Sequence, residues 1–371
     1  MVIFFKLIFL WILIIFSNSC SFVSSKLIHF SDIPSFDGTY EVGTKIFEWI
    51  DSTRFEHFTE QKDDFRKIKI QVWYPIRHTS IRKEPMPYIE FQEQIKAIGD
   101  ALEIPSFLLT NIKSIKTNSY LDAPIIDNDQ QFPLILYSHG LGGMRNQNLI
   151  QVESLVKQGY IVIAPNHTYD ANITIFKNQT IANYRSDGQD IETEEDFWAF
   201  RLPQLKTRAN DLIFIYNQIE ILSKYSSFWS KIDIDNIGAF GHSFGGATCI
   251  MTSYLNNAID AMFVLDPWML PIPMEIIKLG PKIPLVYMGQ NSWDNPKNLD
   301  NRDEYLRHGT AYKEKLIIDG AHHYDFTDTP IFSNLSKTLN VSGNIDTKQL
   351  NSNITMKIIS FFNTYLKENQ N

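Results

Sequence analysis

The sequence predicts an α/β protein with a mostly parallel central sheet and helices on both of its faces. Short segments that are apolar throughout, such as Pro133–Tyr137 and Tyr160–Ala164, alternate with helical patterns. Continuous apolar strands are typical of a sheet that is buried on both faces, and helical connections place such strands in parallel. No internal repeat or low-complexity linker divides the chain, so we expect one domain over residues 20–371.

The predicted elements follow one another in a regular order. The segment Ile68–Tyr74 alternates in polarity and ends at Pro75, which is the pattern of a strand. A helical stretch at Ile89–Leu102 precedes the first continuous apolar strand. The further predictions are helices Leu149–Gln158, Leu202–Lys224 and Gly245–Leu255 and strands Ile237–Phe240, Ala261–Leu265, Leu285–Met288 and Lys315–Ile318. A C-terminal helix, Asn353–Lys367, carries its large apolar side chains on one face.

Composition and motif searches exclude several classes of protein. Of the 371 residues, 44% are hydrophobic and 20% are charged, which is not the composition of a disordered, collagen-like or coiled-coil chain. A net charge of −8 without a Lys/Arg cluster argues against a nucleic-acid partner. The chain has no His/Cys cluster with zinc spacing and no complete calcium loop or phosphate-binding glycine loop. We therefore expect no metal and no cofactor.

The N-terminal segment predicts export. Lys6 precedes an apolar run over residues 7–16, which small residues at Ser17 and Ser19 follow. The run is too short for a bilayer, which needs about 20 residues, and the small residues suit a signal peptidase. We expect a signal peptide over residues 1–19 and a secreted protein, with a membrane anchor or a lipidated Cys20 as alternatives. Six sequons make it a candidate glycoprotein: Asn166, Asn172, Asn178, Asn334, Asn340 and Asn353.

The most informative motif is Gly241-His242-Ser243-Phe244-Gly245. It follows one predicted strand and opens a helix of small residues. This context is that of a nucleophile elbow, a tight turn that presents a serine and needs flanking glycines to avoid neighbouring elements. Ser243 is therefore the predicted nucleophile. A serine hydroxyl is a weak nucleophile, so the site must also supply a base and an acid that orients the base.

The base and the acid each have two local candidates. In sites of this type the chain order is serine, acid, histidine, and only His322 and His323 follow the last predicted strand. Local sequence does not separate these two histidines. For the acid, Asp266 directly follows strand Ala261–Leu265 at the carboxyl edge of the sheet. Asp294, in the loop after the next strand, is its rival.

Two backbone amides are expected to stabilise the oxyanion of the transition state. One is that of Phe244, the residue after the nucleophile. The other is expected from the turn after strand Pro133–Tyr137, where Leu141 lies between Gly140 and Gly142. His167 follows the neighbouring strand at the same edge and is a candidate for the wall of the substrate pocket.

Six segments of the chain together resemble the secreted platelet-activating-factor acetylhydrolases of the lipoprotein-associated phospholipase A2 type. They are GTYEVG at 38–43, SHGLG at 138–142, GHSFGGA at 241–247, LDPWMLP at 265–271, GAHHYDFTD at 320–328 and GNID at 343–346. The resemblance spans nearly all of the chain after the leader. It implies an α/β-hydrolase fold, with Asp266 as the acid and His323 as the base.

The resemblance also implies a function. Members of that family hydrolyse, without calcium, the sn-2 ester of platelet-activating factor and of phospholipids with short or oxidised acyl chains. Trp268 and Phe244 would line the acyl pocket, and residues 88–109 would contact a membrane or lipid-particle surface unless they merely pack on the core. Pro267 and residues 168–200 depart from the family pattern. The alternatives are a hydrolase of soluble short-chain esters, amides or polyesters, and a non-catalytic binding or adhesion protein.

Overall fold

The structure, a computed structural model, describes residues 30–80, 84–188, 190–333, 335–338 and 340–367. The predicted signal peptide, Cys20 and the sequon at Asn334 lie outside these residues. Within the described ranges, no helix has the length and apolar character needed to cross a membrane.

A nine-stranded sheet forms the centre of the molecule. The strands are β1 (Glu41–Phe55), β2 (Phe65–Ile76), β3 (Ser119–Leu121), β4 (Phe132–Ser138), β5 (Ile161–Asn166), β6 (Ile173–Ile175), β7 (Ile181–Asn183), β8 (Ile232–His242), β9 (Ala261–Leu265), β10 (Leu285–Gly289) and β11 (Lys313–Ile317). Strands β6 and β7 form a separate hairpin, and the order in the main sheet is β11-β10-β9-β8-β4-β5-β2-β1-β3. The run from β11 to β5 is parallel, and β2 and β1 extend it antiparallel.

Helices cover both faces of this sheet. They are α1 (Gln92–Ala101), α2 (Leu149–Lys157), α3 (Glu194–Leu222), α4 (Phe244–Leu255), α5 (Met274–Leu279), α6 (Lys297–Arg307), α7 (Thr329–Phe332), α8 (Leu335–Thr338) and α9 (Thr347–Leu366). Helices α2 and α9 contact each other on one face, and α3 and α4 contact each other on the other face. The predicted fold class is thus confirmed.

Side chains of the central strands alternate between the two cores. On β4, Ile135 and Tyr137 belong to the core under α2 and α9, whereas Leu134 and Leu136 point to the opposite core. All four side chains are buried, and full burial of each aliphatic one contributes about 1.5–3 kcal/mol. The same requirement on both faces explains why β4 is apolar throughout its length.

Several elements differ from the sequence prediction: the C-terminal helix begins at Thr347 instead of Asn353, and the short strands β3, β6 and β7 and the helices α5 and α6 were not predicted. Strand β1 has no predicted counterpart, because polar and half-exposed residues interrupt its apolar ones. Helix α3 begins at Glu194 instead of Leu202, and Pro203 lies inside it. A capping box precedes its first residue. Thr193 Oγ1 accepts from the Asp196 amide at 3.1 Å, and the Asp196 carboxylate accepts from the Thr193 amide at 3.0 Å.

The carboxyl edge of the parallel strands brings distant residues together. Ser138 at the end of β4 pairs with Gly241 on β8, and His242 pairs with Leu265 at the end of β9. The loops that leave these strands therefore start side by side. The predicted site residues lie in these loops or in the loops that follow β5, β10 and β11.

Candidate active site

Ser243 occupies a strained turn between β8 and α4. Its φ of 57° and ψ of −121° are unusual for a residue with a side chain, and such a conformation costs about 1–3 kcal/mol. Its amide donates to the Leu265 carbonyl at 2.9 Å, and its own carbonyl accepts from the Trp268 amide at 3.0 Å. The end of β9 and the loop after it thus hold the backbone of Ser243 through both its amide and its carbonyl group.

The glycines on either side of Ser243 are required by close backbone contacts. A Cβ on Gly245 would lie 1.9 Å from the Ser138 carbonyl oxygen, and one on Gly241 would lie 2.5 Å from the carbonyl group of Gly245. Backbone atoms cannot move aside as a flexible side chain does. The strand–turn–helix geometry therefore explains the motif residue by residue.

Asp266 and His323 form a hydrogen-bonded pair. Asp266 Oδ2 lies 2.6 Å from His323 Nδ1, and the Asp266 side chain is completely buried. The carboxylate also accepts from the Gln290 amide at 3.2 Å, from Gln290 Nε2 at 3.0 Å and from Trp293 Nε1 at 3.0 Å. All its partners donate, so His323 Nδ1 carries the proton and His323 Nε2 is left as the basic nitrogen.

The rival candidates are not part of this pair. His322 places its Nδ1 3.4 Å from the Asn340 carbonyl oxygen, and its amide donates to the Asp325 carboxylate at 2.7 Å. Asp294 is exposed, although its neighbour Trp293 reaches Asp266.

His242 connects the elbow to His323. Its Nε2 donates to the His323 carbonyl at 3.0 Å, and the two rings lie 4.5 Å apart. Burial and the nearby His323 lower the pKa of His242 well below 6.5, so its ring is neutral. The Ser243 hydroxyl forms no hydrogen bond with a described residue, and catalytic hydrogen bonds of this type are commonly loose before substrate binds.

The turn after β4 lies directly against the elbow. A Cβ on Gly140 would lie 3.3 Å from Ser243 Cβ and 3.0 Å from His242 Nδ1. The Gly140 amide donates to Gln147 Oε1 at 2.7 Å and the Gly142 amide to the Asp170 carbonyl at 2.9 Å. No hydrogen bond to a described residue uses the Leu141 amide. Phe244 is the first residue of α4, where amides have no intrahelical acceptor.

Trp268 and Phe244 pack together beside the elbow. Their ring centroids lie 5.3 Å apart, and the Phe197 ring lies 6.0 Å from Trp268.

His167 differs from the prediction that it lines the pocket. It is completely buried, and its ring nitrogens are bonded to Ser138 Oγ at 3.0 Å and to Asp211 Oδ2 at 2.9 Å. The reason is that its ring turns beneath the Ser138 turn toward α3, where Asp211 supplies a buried partner.

An apolar cavity of about 200 Å³ is lined in part by Gly142, Gly143 and Met144, which lie a few residues after Ser138. Tyr324, the residue after His323, lines the same cavity. Residues of the segment 88–109 also line it, together with residues near the C-terminal end of the chain. Apolar side chains in the lining include Tyr88, Ile98, Leu102, Ile104, Leu109, Ile112, Met144 and Phe332. The segment 88–109 is divided between two environments, since Leu109 is buried and Phe107 is 48% exposed.

Sequence reasoning missed the residues that support the pair. His242 lies inside the predicted motif, and Gln290 and Trp293 follow β10 at the carboxyl edge of the sheet. Their position directly after a strand could have identified Gln290 and Trp293, because polar side chains after a parallel strand point to this edge. Within the described residues, no group of three or more His, Cys, Asp or Glu side chains is arranged to hold a metal ion.

The chain is similar to known esterases. The model of the family "Platelet-activating factor acetylhydrolase, isoform II" matches residues 27–371. Platelet-activating factor acetylhydrolase of Cavia porcellus is 23% identical over 91% of this chain and 79% of its own length. A probable 1-alkyl-2-acetylglycerophosphocholine esterase of Arthroderma benhamiae is 24% identical over 59% of this chain and 52% of its own length.

The fold also resembles that of a solved structure. A ferulic acid esterase from Streptomyces cinnamoneus superposes with a TM-score of 0.70 at 20% identity, covering 91% of this chain and 93% of that one. At this identity the similarity concerns the fold, which is that of an α/β hydrolase. With the match over residues 27–371, the chain belongs to the platelet-activating factor acetylhydrolase, isoform II, family.

Proposed function

We propose that the protein is a calcium-independent serine esterase that cleaves the sn-2 ester of platelet-activating factor and of phospholipids with short or oxidised acyl chains. The observation that carries this proposal is the hydrogen-bonded Asp266–His323 pair beside the Ser243 elbow, in a chain that matches this family over residues 27–371. The relatives named for the same reaction support the substrate class.

The proposed mechanism is acyl transfer through Ser243. Ser243 Oγ attacks the sn-2 carbonyl carbon while His323 Nε2 takes the hydroxyl proton, and the Asp266 carboxylate stabilises the resulting imidazolium. The amides of Leu141 and Phe244 donate to the oxyanion of the tetrahedral intermediate. His323 then returns the proton to the departing lysophospholipid oxygen. Water, activated by the same histidine, releases the acyl group from Ser243.

The apolar cavity supports a substrate that carries a hydrocarbon chain. Gly142, one residue from the proposed oxyanion donor Leu141, is part of its lining, which is dominated by apolar side chains. Transfer of each methylene group into such a site contributes about 0.8 kcal/mol. A small soluble ester gains none of this energy.

The test of the substrate is a series of choline phospholipids that differ only in the sn-2 chain, from acetyl to palmitoyl, with calcium chelated. We expect rates that fall steeply beyond short chains. Cleavage of p-nitrophenyl acetate without cleavage of any phospholipid would support the alternative of a soluble ester or amide. Failure of a fluorophosphonate probe to label Ser243 would support a non-catalytic binding protein.

We further propose that the exposed part of segment 88–109 contacts lipid surfaces. Phe107 is 48% exposed, which places a large apolar ring in solvent close to the cavity wall. Phe107→Ser is expected to lower the rate on lipid particles about threefold to tenfold and to leave p-nitrophenyl acetate hydrolysis unchanged. Phe55→Ser is the matched control, because Phe55 is 64% exposed on β1. Equal effects of both substitutions would contradict the contact.

We also propose that the protein is secreted and glycosylated. The cation, short apolar run and small residues before Cys20 support cleavage after Ser19. N-terminal sequencing of the exported protein should begin at Cys20. Peptide mapping should find glycans at exposed Asn178 or Asn353 but not at Asn166, which is buried. A retained N-terminal segment would favour the membrane anchor.

A further inference from the structure

A buried ionic cluster lies beneath the turn that carries Leu141. Its members are Arg66, Asp170, His167, Arg208 and Asp211, and each is at most 1% exposed. Arg66 satisfies Asp211 through Nη2 at 2.7 Å and Glu56 through Nη1 at 2.8 Å. Asp170 accepts from Gln204 Nε2 at 2.7 Å and from the Ser186 hydroxyl. Arg208 is the member of this cluster without a close carboxylate partner, because its Nη1 lies 3.8 Å from Asp170 Oδ2.

The strongest contacts of Arg208 are with the turn itself. Its Nη2 donates to the His139 carbonyl oxygen and, at 3.3 Å, to Ser138 Oγ. The peptide unit of that carbonyl contains the Gly140 nitrogen, one residue before Leu141. The Arg208 guanidinium also stacks over the Phe244 ring at 4.9 Å. One buried cation therefore touches both segments that supply the proposed oxyanion donors.

Asp170 holds the far side of the same turn. Its backbone carbonyl accepts from the Gly142 amide at 2.9 Å, and its side chain faces Arg208. The turn is thus fixed at residue 139 by Arg208 and at residue 142 by Asp170. The Leu141 amide lies between these two fixed points.

Ser138, His167 and Asp211 have the residue types of a second charge relay, but they do not form a second active site. Ser138 is completely buried, so no acyl group can reach its hydroxyl. Burial, followed by Arg208, lowers the pKa of His167 to about 3, so its ring is neutral. Each member donates to the next, from Arg208 through Ser138 and His167 to Asp211. This chain orients Ser138 and keeps the guanidinium in place.

The hydrogen-bond donors of the Arg208 guanidinium are only partly satisfied. Arg208 Nε and Nη1 are buried and have no hydrogen-bond partner among the described residues, and burial of such donors is costly. Burial lowers the pKa of Arg208 to about 10, which still leaves a cation at neutral pH. The buried positive charge lies next to both segments that carry the proposed amide donors. There it stabilises the negative charge that develops on the oxyanion in the transition state.

We propose that Arg208 is a positioning residue for the oxyanion hole, which holds the His139–Gly142 turn in register and adds positive potential behind the amides of Leu141 and Phe244. The proposal rests on the proposed roles of those amides. It predicts a loss in kcat rather than in substrate binding, because the charge of Arg208 matters only once the oxyanion forms.

The test compares p-nitrophenyl acetate with p-nitrophenyl thionoacetate in wild type, Arg208→Met and Arg208→Lys. A thiono sulfur is a weak hydrogen-bond acceptor, so thionoester hydrolysis gains little from the oxyanion hole. We expect Arg208→Met to lower kcat for the ester about 10-fold to 100-fold, with KM nearly constant, which is less than the roughly 10²-fold to 10³-fold loss seen when an oxyanion donor itself is removed. The ester-to-thionoester rate ratio should fall about tenfold, and Arg208→Lys should restore part of it.

Arg201→Met is the matched control, since Arg201 is a buried arginine of the same helix. It bonds to the Ser186 carbonyl at 3.0 Å and to Gln204 Oε1 at 2.8 Å but not to the turn. Its ester-to-thionoester ratio should equal that of wild type. If Arg208→Met does not fold, Arg208→Lys must still lower the ratio at least threefold.

An unchanged ratio in the folded Arg208 variants, or an equal decrease for both substrates, would overturn the proposal. Wild type that cleaves these esters but no phospholipid would remove the proposed substrate and leave the role of Arg208 standing. Ester hydrolysis that survives in Ser243→Ala would overturn both.

Discussion

At the scale of single residues, Asp266 holds the ring of His323 in place. Four donor groups surround its carboxylate, and charge-assisted hydrogen bonds of this kind contribute more than neutral ones. They fix the tautomer of His323. The neighbouring sequence could not distinguish His323 from His322, because the choice depends on a short 3-10 turn at His323–Phe326 and on the Asp325 carboxylate that caps it.

Replacement of Asp266 tests the assignment of the acid. Asp266→Asn should lower kcat about 10⁴-fold with little change in KM, because an amide favours the wrong histidine tautomer. Asp294→Asn is the control and should retain nearly full activity, since Asp294 is exposed. Steady-state kinetics on a short-chain ester measure both effects. A larger loss in Asp294→Asn than in Asp266→Asn would reverse the assignment.

Trp293 offers a finer test of the same carboxylate. Trp293→Phe removes the indole donor, which lies 3.0 Å from Asp266 Oδ1, and keeps an aromatic ring beside His323. One hydrogen bond to a charged group is worth about 1.5–3 kcal/mol, so kcat should fall about tenfold or somewhat more. Trp198→Phe, on α3, should change kcat less than twofold. Equal rates in wild type and Trp293→Phe would show that this donor is dispensable.

At the scale of elements, the elbow depends on the approach of α4 to β4. The sequence predicted this strand–turn–helix unit, because both glycines and the flanking apolar strand are local signals. The start of α3 and the whole of β1 were not predicted. A capping box at Thr193 outweighs the interruption at Pro203, and β1 is stabilised by pairing with β2 rather than by a continuous apolar pattern.

A methyl group on Gly245 should separate these elements. Its Cβ would lie 1.9 Å from the Ser138 carbonyl oxygen, so α4 must shift away from β4. We expect Gly245→Ala to lose activity and to lower the free energy of unfolding by about 3 kcal/mol or more. Ala247→Gly, in the same helix, should cost only about 1.5–2 kcal/mol, because it adds the loss of one buried methyl group to the helix cost of glycine. Urea unfolding followed by circular dichroism measures both, and equal losses would refute the steric argument.

At the scale of the whole molecule, the sequence predicted the fold class but not the buried polar interior. The apolar strands and intervening helices are local patterns, whereas the cluster around Arg208 joins residues from β2, β4, α3 and the loop after β5. These contacts join residues that are far apart in the sequence, so no local sequence pattern predicts them. His167 was therefore correctly placed at the carboxyl edge of the sheet and wrongly assigned to the pocket wall.

This polar interior makes stability depend on pH. Burial lowers the pKa of His139, His167 and His242, in His167 to about 3. Unfolded histidines take up protons near pH 6.5, so below that pH the unfolded state binds more protons. These histidines therefore contribute a loss of stability as the pH falls from about 6.5, by up to about 1.4 kcal/mol per pH unit each, whereas the carboxyls of Glu153 and Asp328, whose pKa burial raises, contribute in the opposite sense.

Urea unfolding at several pH values between 7 and 5 measures this dependence. His242→Gln should change it by up to about 1.4 kcal/mol per pH unit, because the unfolded variant no longer takes up the proton of this histidine. His78→Gln should leave it unchanged, because His78 is exposed. The same dependence on pH in wild type and in His242→Gln would contradict neutral burial of the His242 ring.

The central claim is that Ser243 carries out hydrolysis of the sn-2 ester of a short-chain phospholipid. The most direct measurement is release of labelled acetate from platelet-activating factor by wild type and Ser243→Ala, with calcium chelated. We predict rapid release by wild type and a loss of at least about 10³-fold in the variant. Release by Ser243→Ala at the wild-type rate, or no release by a wild-type protein that still cleaves p-nitrophenyl acetate, would contradict the claim.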